Sequence, residues 1–171
     1  MQRYKVWLKR DKSLVCNKTV WQHLQHIRVN HYIYQSYKIS MLEKPHWIHF
    51  TGIGDEEVGY ISVAQKNNLP FEIKRVYWVY ETPEHIERGN HAHVQCRQVL
   101  IAVNGAIDIE LENTDGEKEL FHLNTPSIGL FVPVMHWRKI NMKKGSVLLS
   151  LASHDFDEDD YIRDYEQFNS L

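Results

Sequence analysis

From residue 46 onward the chain breaks into short runs rich in β-branched and aromatic residues: "HWIHF", "VGYISVA", "FEIKRVYWVYE", "RQVLIAVNG", "AIDIELEN", "KELFHLN", "SIGLFVPV" and "GSVLLSLAS". Such side chains suit a pleated, half-buried surface. The stretches between them, "TGIGDEE", "KNNLP", "ETPEHIERGN", "NTPS" and "NMKKG", carry the Gly, Asn, Asp and Pro of turns. "ENTDGEKE" reads as a hairpin turn between two alternating strands. Strands so short and closely spaced, with almost no helix between them, can bury themselves only sheet on sheet. Residues 46–171 are therefore expected to form an all-β antiparallel sandwich or barrel. One short helix is expected at the end, where "DEDDYIRDYEQF" has an acidic start and apolar residues at 161, 162, 165 and 168.

Residues 1–45 read differently. "SLVCNKTVWQHLQHIRVNHYIYQSYKI" is aromatic-rich and weakly helical around 19–29, with Thr19 as a candidate N-cap. We treat it as a partly helical N-terminal extension.

At 171 residues the chain suffices for one well-buried domain. A formal net charge of −2 gives no electrostatic footprint for nucleic acid or an anionic membrane. No apolar run approaches the ~18–20 residues that span a bilayer, and the start lacks the apolar segment of a secretory signal. Cys16 and Cys96 stand alone, without CxxC spacing, which reads as two reduced thiols in the cytoplasm.

The chemistry concentrates in "RGNHAHVQCRQVLIAVNG", residues 88–105. In a strand, residues two apart share a face, so His91 and His93 are expected to enter one cavity of a barrel. The order HxH, four residues, Gln98, six residues, Gly105 fits the histidine motif of cupins, and "GLFVPVMHWRKIN" stands where their second motif lies. Metal-binding cupins use three His and one Glu. Here the Glu position is Gln98, and Arg138 occupies the place of the third His; a guanidinium only donates and repels cations. His136 lies two residues off, and a metal enzyme would have to use His91, His93 and His136. The expectation is no metal and no cofactor. Two imidazoles in a dry cavity suit proton transfer, since their ordinary pKa of ~6.5 lets them act as base or acid near neutrality. Arg75, Arg88 and Arg138 are candidates to hold an anion.

"NLPFEIKRVYWVYET", "RGNHAH", "QVLIAVNG", "PSIGLFVP", Trp137 and "LASHDFDEDDYIRDYEQF" together resemble the WxcM-like sugar 3,4-ketoisomerases, which act on dTDP-4-keto-6-deoxyglucose. The resemblance covers roughly residues 46–171. It implies a metal-free cupin jelly roll, a homodimer that exchanges N-terminal strands, and a dTDP-sugar substrate whose ketone moves from C4 to C3 through an enediol. It also implies that His91 and His93 are the catalytic pair, and that Arg75, Tyr77, Arg88, Gln98, Trp137 and Arg138 line the nucleotide-sugar cleft. The sequence departs from the usual pattern at Val94, Arg97, Arg138 and Lys139, changing the charge around the cavity mouth. A non-catalytic nucleotide-sugar-binding cupin is the alternative those departures motivate.

Overall fold

The computed structural model describes residues 43–171. The helical reading around 19–29 and Cys16 lie outside the described residues. Two five-stranded sheets face each other. One runs β1 (His46–His49), β9 (Ile128–Val132), β6 (Gln98–Asn104), β11 (Val147–Ala152), β4 (Arg75–Val79). The other runs β12 (Tyr161–Ile162), β5 (Arg88–His93), β10 (Trp137–Met142), β7 (Ile107–Glu112), β8 (Lys118–Leu123). Every pairing is antiparallel. From β4 to β11 most connections cross from one sheet to the other, which makes the sandwich a jelly roll of the expected cupin type.

Alternation builds the interior. In β7, Ile107, Ile109 and Leu111 are buried on one face; Phe121 and Leu123 of β8 and Ile140 and Met142 of β10 join them. From the opposite sheet come Leu100, Ala102, Leu130, Val132 and Leu148. "ENTDGEKE" closes the β7–β8 hairpin as expected: the Asn113 side-chain oxygen accepts from the Asp115 and Glu117 N–H groups, and Gly116 takes the positive φ of 78°.

Two expectations are corrected. "TGIGD", read as punctuation, is β2 (Thr51–Asp55), paired with β3 (Gly59–Val63) as a separate hairpin. The C-terminal helix, α1, spans only Tyr165–Asn169, capped by Asp164, whose carboxylate accepts from the Glu166 and Gln167 N–H groups. The acidic run forms a 3-10 turn at Glu158–Asp160, and Tyr161 and Ile162 become strand β12. The physical reason is the open edge of β5: Tyr161 pairs with His93 and Ile162 with Ala92, so extended backbone completes a sheet that a helix would leave unpaired.

The β5–β10 ladder carries a bulge. Arg138 pairs with His91, Lys139 with Gly89 and Ile140 with Arg88, so Asn90 has no partner on β10. Asn90 has φ 52° and Gly89 φ 89°. The extra residue resets the alternation, putting Arg88 and His91, three positions apart, on the same face. Gly89 is required twice: by its positive φ, and because a Cβ there would lie 2.6 Å from the Arg138 carbonyl oxygen. Gly89→Ala is therefore expected to destabilise the fold by about 1–3 kcal/mol, read as a lowered denaturation midpoint; an unchanged midpoint would show that β5 does not need this backbone shape.

Candidate functional site

One end of the sandwich encloses a cavity of about 640 Å³, within the range of sites for small ligands. Period-two alternation explains most of its lining. β4 contributes Arg75, Tyr77 and Val79, β6 Gln98 and Leu100, β10 Arg138 and Ile140, and β11 Leu148. The bulged β5 adds Arg88, Gly89 and His91. The C-terminal segment closes one side with Phe156, Tyr161 and Arg163.

Of the residues anticipated from sequence, Arg75, Tyr77, Arg88, His91, Gln98 and Arg138 meet in this cavity. His93 lies just behind the wall, fully buried, its ring 5.0 Å from that of His91 and nearly perpendicular to it. Tyr161 packs against both imidazoles, at 4.9 and 4.3 Å between ring centres. Trp137 is the exception. Arg138 and Ile140 face inward, so the adjacent Trp137 projects from the other face of β10 and packs beneath α1, 5.2 Å from Tyr165 and 5.6 Å from Phe168. It is a core residue, not part of the cleft.

A chain of hydrogen bonds fixes the floor. Arg138, almost without exposed surface, donates to the Oε1 of Gln98. That orients the amide: its Nε2 donates to the Tyr77 hydroxyl at 3.0 Å and lies 3.4 Å from the Nε2 of His93. On the far side of His93, Nδ1 meets the Oδ2 of Asp160 at 2.7 Å. The Nδ1 of His91 is 2.9 Å from the Gly89 carbonyl oxygen, which can only accept; this nitrogen therefore carries the proton and leaves Nε2 as a lone pair.

Both histidines are held neutral. Burial first, and the Arg138 charge second, lower the pKa of His91 to about 3 against the pull of the Gly89 carbonyl. His93 is lowered to about 4, chiefly by burial and further by the Arg138 charge, with the Asp160 bond opposing both. For Asp160 burial pushes upward, but the bonds from His93 and from the Gln95 and Cys96 N–H groups win and hold it below the usual carboxylate range. The pair is thus a carboxylate facing a neutral imidazole.

The metal set anticipated as an alternative is not assembled. His136 is buried with Nδ1 2.8 Å from the Val134 carbonyl, and it does not line the cavity. Among the described residues, His93, Cys96 and Asp160 bring ligand-type atoms within 4.8 Å of one another. Both Asp160 oxygens, however, already accept hydrogen bonds, from His93, Gln95 and Cys96. The charge of Arg138 also acts on both imidazoles and opposes any further cation there, so these residues do not fit a metal ion.

Sequence reasoning missed Asp160, Tyr161, Phe156 and Arg163. "DYIR" was visible, but nothing local ties residue 160 to residue 93, 67 positions earlier. The strand β12, which carries that tie, was hidden inside the expected helix.

Comparison with known proteins agrees with this geometry. The family model described as FdtA: WxcM-like, C-terminal, matches residues 43–171. The chain is 35% identical over 122 residues to a TDP-4-oxo-6-deoxy-alpha-D-glucose-3,4-oxoisomerase of Aneurinibacillus thermoaerophilus, covering 71% of this chain and 87% of that one. Among solved structures it is similar to QdtA, a sugar 3,4-ketoisomerase from Thermoanaerobacterium thermosaccharolyticum in complex with TDP, with 39% identity, a TM-score of 0.71, and coverage of 75% and 94%. A variant of QdtA in complex with TDP-4-keto-6-deoxyglucose gives 38% identity and a TM-score of 0.69, with coverage of 73% and 91%. With its roll, its cavity and its histidine pair accounted for residue by residue, this chain belongs to the FdtA, WxcM-like C-terminal family.

Proposed function

We propose that the protein is a cofactor-independent isomerase that moves the ketone of a dTDP-4-keto-6-deoxyhexose from C4 to C3. The observation that carries this is a neutral imidazole, His91, in the wall of an arginine-lined cavity with a second, His93, directly behind it, in a chain similar to TDP-sugar 3,4-ketoisomerases. The C4 ketone acidifies the proton on C3. A base removes it, the electrons pass to the C4 oxygen, and that oxygen takes up a proton to give the enediol; loss of the C3 hydroxyl proton and delivery of a proton to C4 then leave the ketone on C3 and a hydroxyl on C4. No net oxidant is needed, because one carbon is oxidised as its neighbour is reduced. His91, with its Nε2 lone pair at the cavity wall, and His93 behind it are the proton carriers. The Tyr77 hydroxyl accepts from Gln98 and so keeps its own proton to donate towards the developing oxyanion. Arg75 and Arg88, at the cavity wall, suit the diphosphate, with Arg138 and Gln98 shaping the sugar end. Such a substrate places the enzyme in the cytoplasm.

We also assign the assembly as a homodimer that exchanges the β2–β3 hairpin. Among the described residues this hairpin pairs only with itself, exposing Ile53, Val58, Tyr60 and Ile61. The edge strand β4 likewise exposes Val76 and Trp78 on its outer face. A second copy covers both.

The direct test is incubation with TDP-4-keto-6-deoxyglucose in deuterated water, followed by NMR: deuterium enters the sugar and a 3-keto product accumulates. Folded wild-type protein that gives neither would end the functional reading. His91→Asn and His93→Asn each lose at least about 100-fold in kcat; His93→Asn also lowers the melting temperature, since it disrupts a fully buried hydrogen-bonded ring. Because both histidines stay neutral until about 4 and about 3, kcat/KM is expected to show no acid limb near 6.5 and to fall only below about pH 4–5. For the dimer, Ile61→Asp is expected to shift wild-type-like dimers to monomers in light scattering; a wild type that is monomeric at all concentrations refutes the exchange.

A further inference from the structure

The histidine pair is held by a residue that does not touch the cavity. We propose that Asp160 is a positioning residue that fixes the tautomer of His93, keeping its proton on Nδ1 and its lone pair on Nε2. The inference rests on the functional reading above only for its kinetic consequence; the tautomer is a property of the protein alone.

Two independent sets of bonds dictate the same tautomer. From one side, the Asp160 carboxylate can only accept, and its Oδ2 lies 2.7 Å from Nδ1, so Nδ1 must carry hydrogen. From the other side, the Oε1 of Gln98 is taken by Arg138, so the amide group 3.4 Å from Nε2 is the NH₂, which can only donate. A second hydrogen on Nε2 would face that donor. Neither end permits the opposite arrangement.

Asp160 is itself over-determined. Its Oδ1 accepts from the Gln95 N–H and, at 3.3 Å, from the Cys96 N–H. Its main-chain oxygen accepts from the Val94 N–H at 2.9 Å, and the next residue opens β12 beside His93. The carboxylate is therefore locked to the backbone that carries the histidine. As a proton reaches Nε2 the imidazole becomes cationic beside Arg138, and the adjacent carboxylate offsets that repulsion.

Asp160→Asn is nearly isosteric and separates position from charge. The Gln95 and Cys96 N–H groups still need an acceptor, so the amide oxygen takes the Oδ1 place and the NH₂ faces His93. Nδ1 must then accept, the proton moves to Nε2, and the lone pair that faces the Gln98 amide behind His91 is lost.

The experiment is long-range ¹H–¹⁵N NMR of histidine-labelled protein, with His93→Asn assigning the signal. Wild type is expected to show the Nδ1–H tautomer at His93. Asp160→Asn is expected to show Nε2–H, with kcat down about 100-fold or more and KM within about threefold. An Nε2–H tautomer in wild type overturns the proposal, as does an Asn variant with unchanged tautomer and kcat. If Asp160→Asn fails to fold, the wild-type tautomer alone decides. Wild type that shows the Nδ1–H tautomer but does not convert TDP-4-keto-6-deoxyglucose would sink the functional reading and leave this assignment standing.

Discussion

A guanidinium with almost no access to water is the constraint around which this site is arranged. Arg138 stands on β10 in the middle of the cavity wall, and its named partners are an amide oxygen and, at 3.5 Å, the His136 carbonyl oxygen. Burial lowers even its pKa from the ordinary guanidinium value. A charge held with so little compensation acts strongly on its surroundings. It fixes which way Gln98 points, through Gln98 it makes the Tyr77 hydroxyl an acceptor of the amide's hydrogen, and it repels protons from both imidazoles.

The frame around that charge was largely legible from sequence, and the reasons are local. The run "AIDIELEN" alternates strictly and "KELFHLN" does so apart from the exposed Leu120; they became β7 and β8, because a half-buried strand has no other way to separate its faces. The HxH spacing with Gln98 and the arginines picked out part of the cavity lining, namely Arg75, Arg88, His91, Gln98 and Arg138. Trp137 was misplaced although its neighbour Arg138 was not: adjacent residues in a strand cannot both face inward, and the inward phase was set by Arg138. The tail misled differently. "DEDDYIRDYEQF" satisfies a helical spacing, but the unpaired edge of β5 claims Tyr161 and Ile162, and long-range pairing overrides local preference.

What remained hidden is what joins distant segments. Asp160 and His93 are brought together by two residues of strand, and the paired Glu158 and Arg163 flank that strand, with the Arg163 guanidinium 4.2 Å over the Tyr161 ring. The C-terminal segment therefore works as the back support of the histidine wall as well as a rim for the cavity. Short segments that finish a sheet carry little periodic signal of their own.

The unpaired Asn90 in β5 has a consequence of a different kind. Whether a side chain on this strand looks into the barrel or out to solvent depends on how many residues precede it after the kink, not on what those residues are. Removing a single position between Arg88 and His91 would restore plain alternation and turn that arginine outward, although neither Arg88 nor His91 itself had changed. Length at this point thus decides which face of β5 Arg88 occupies, independently of the residues around it.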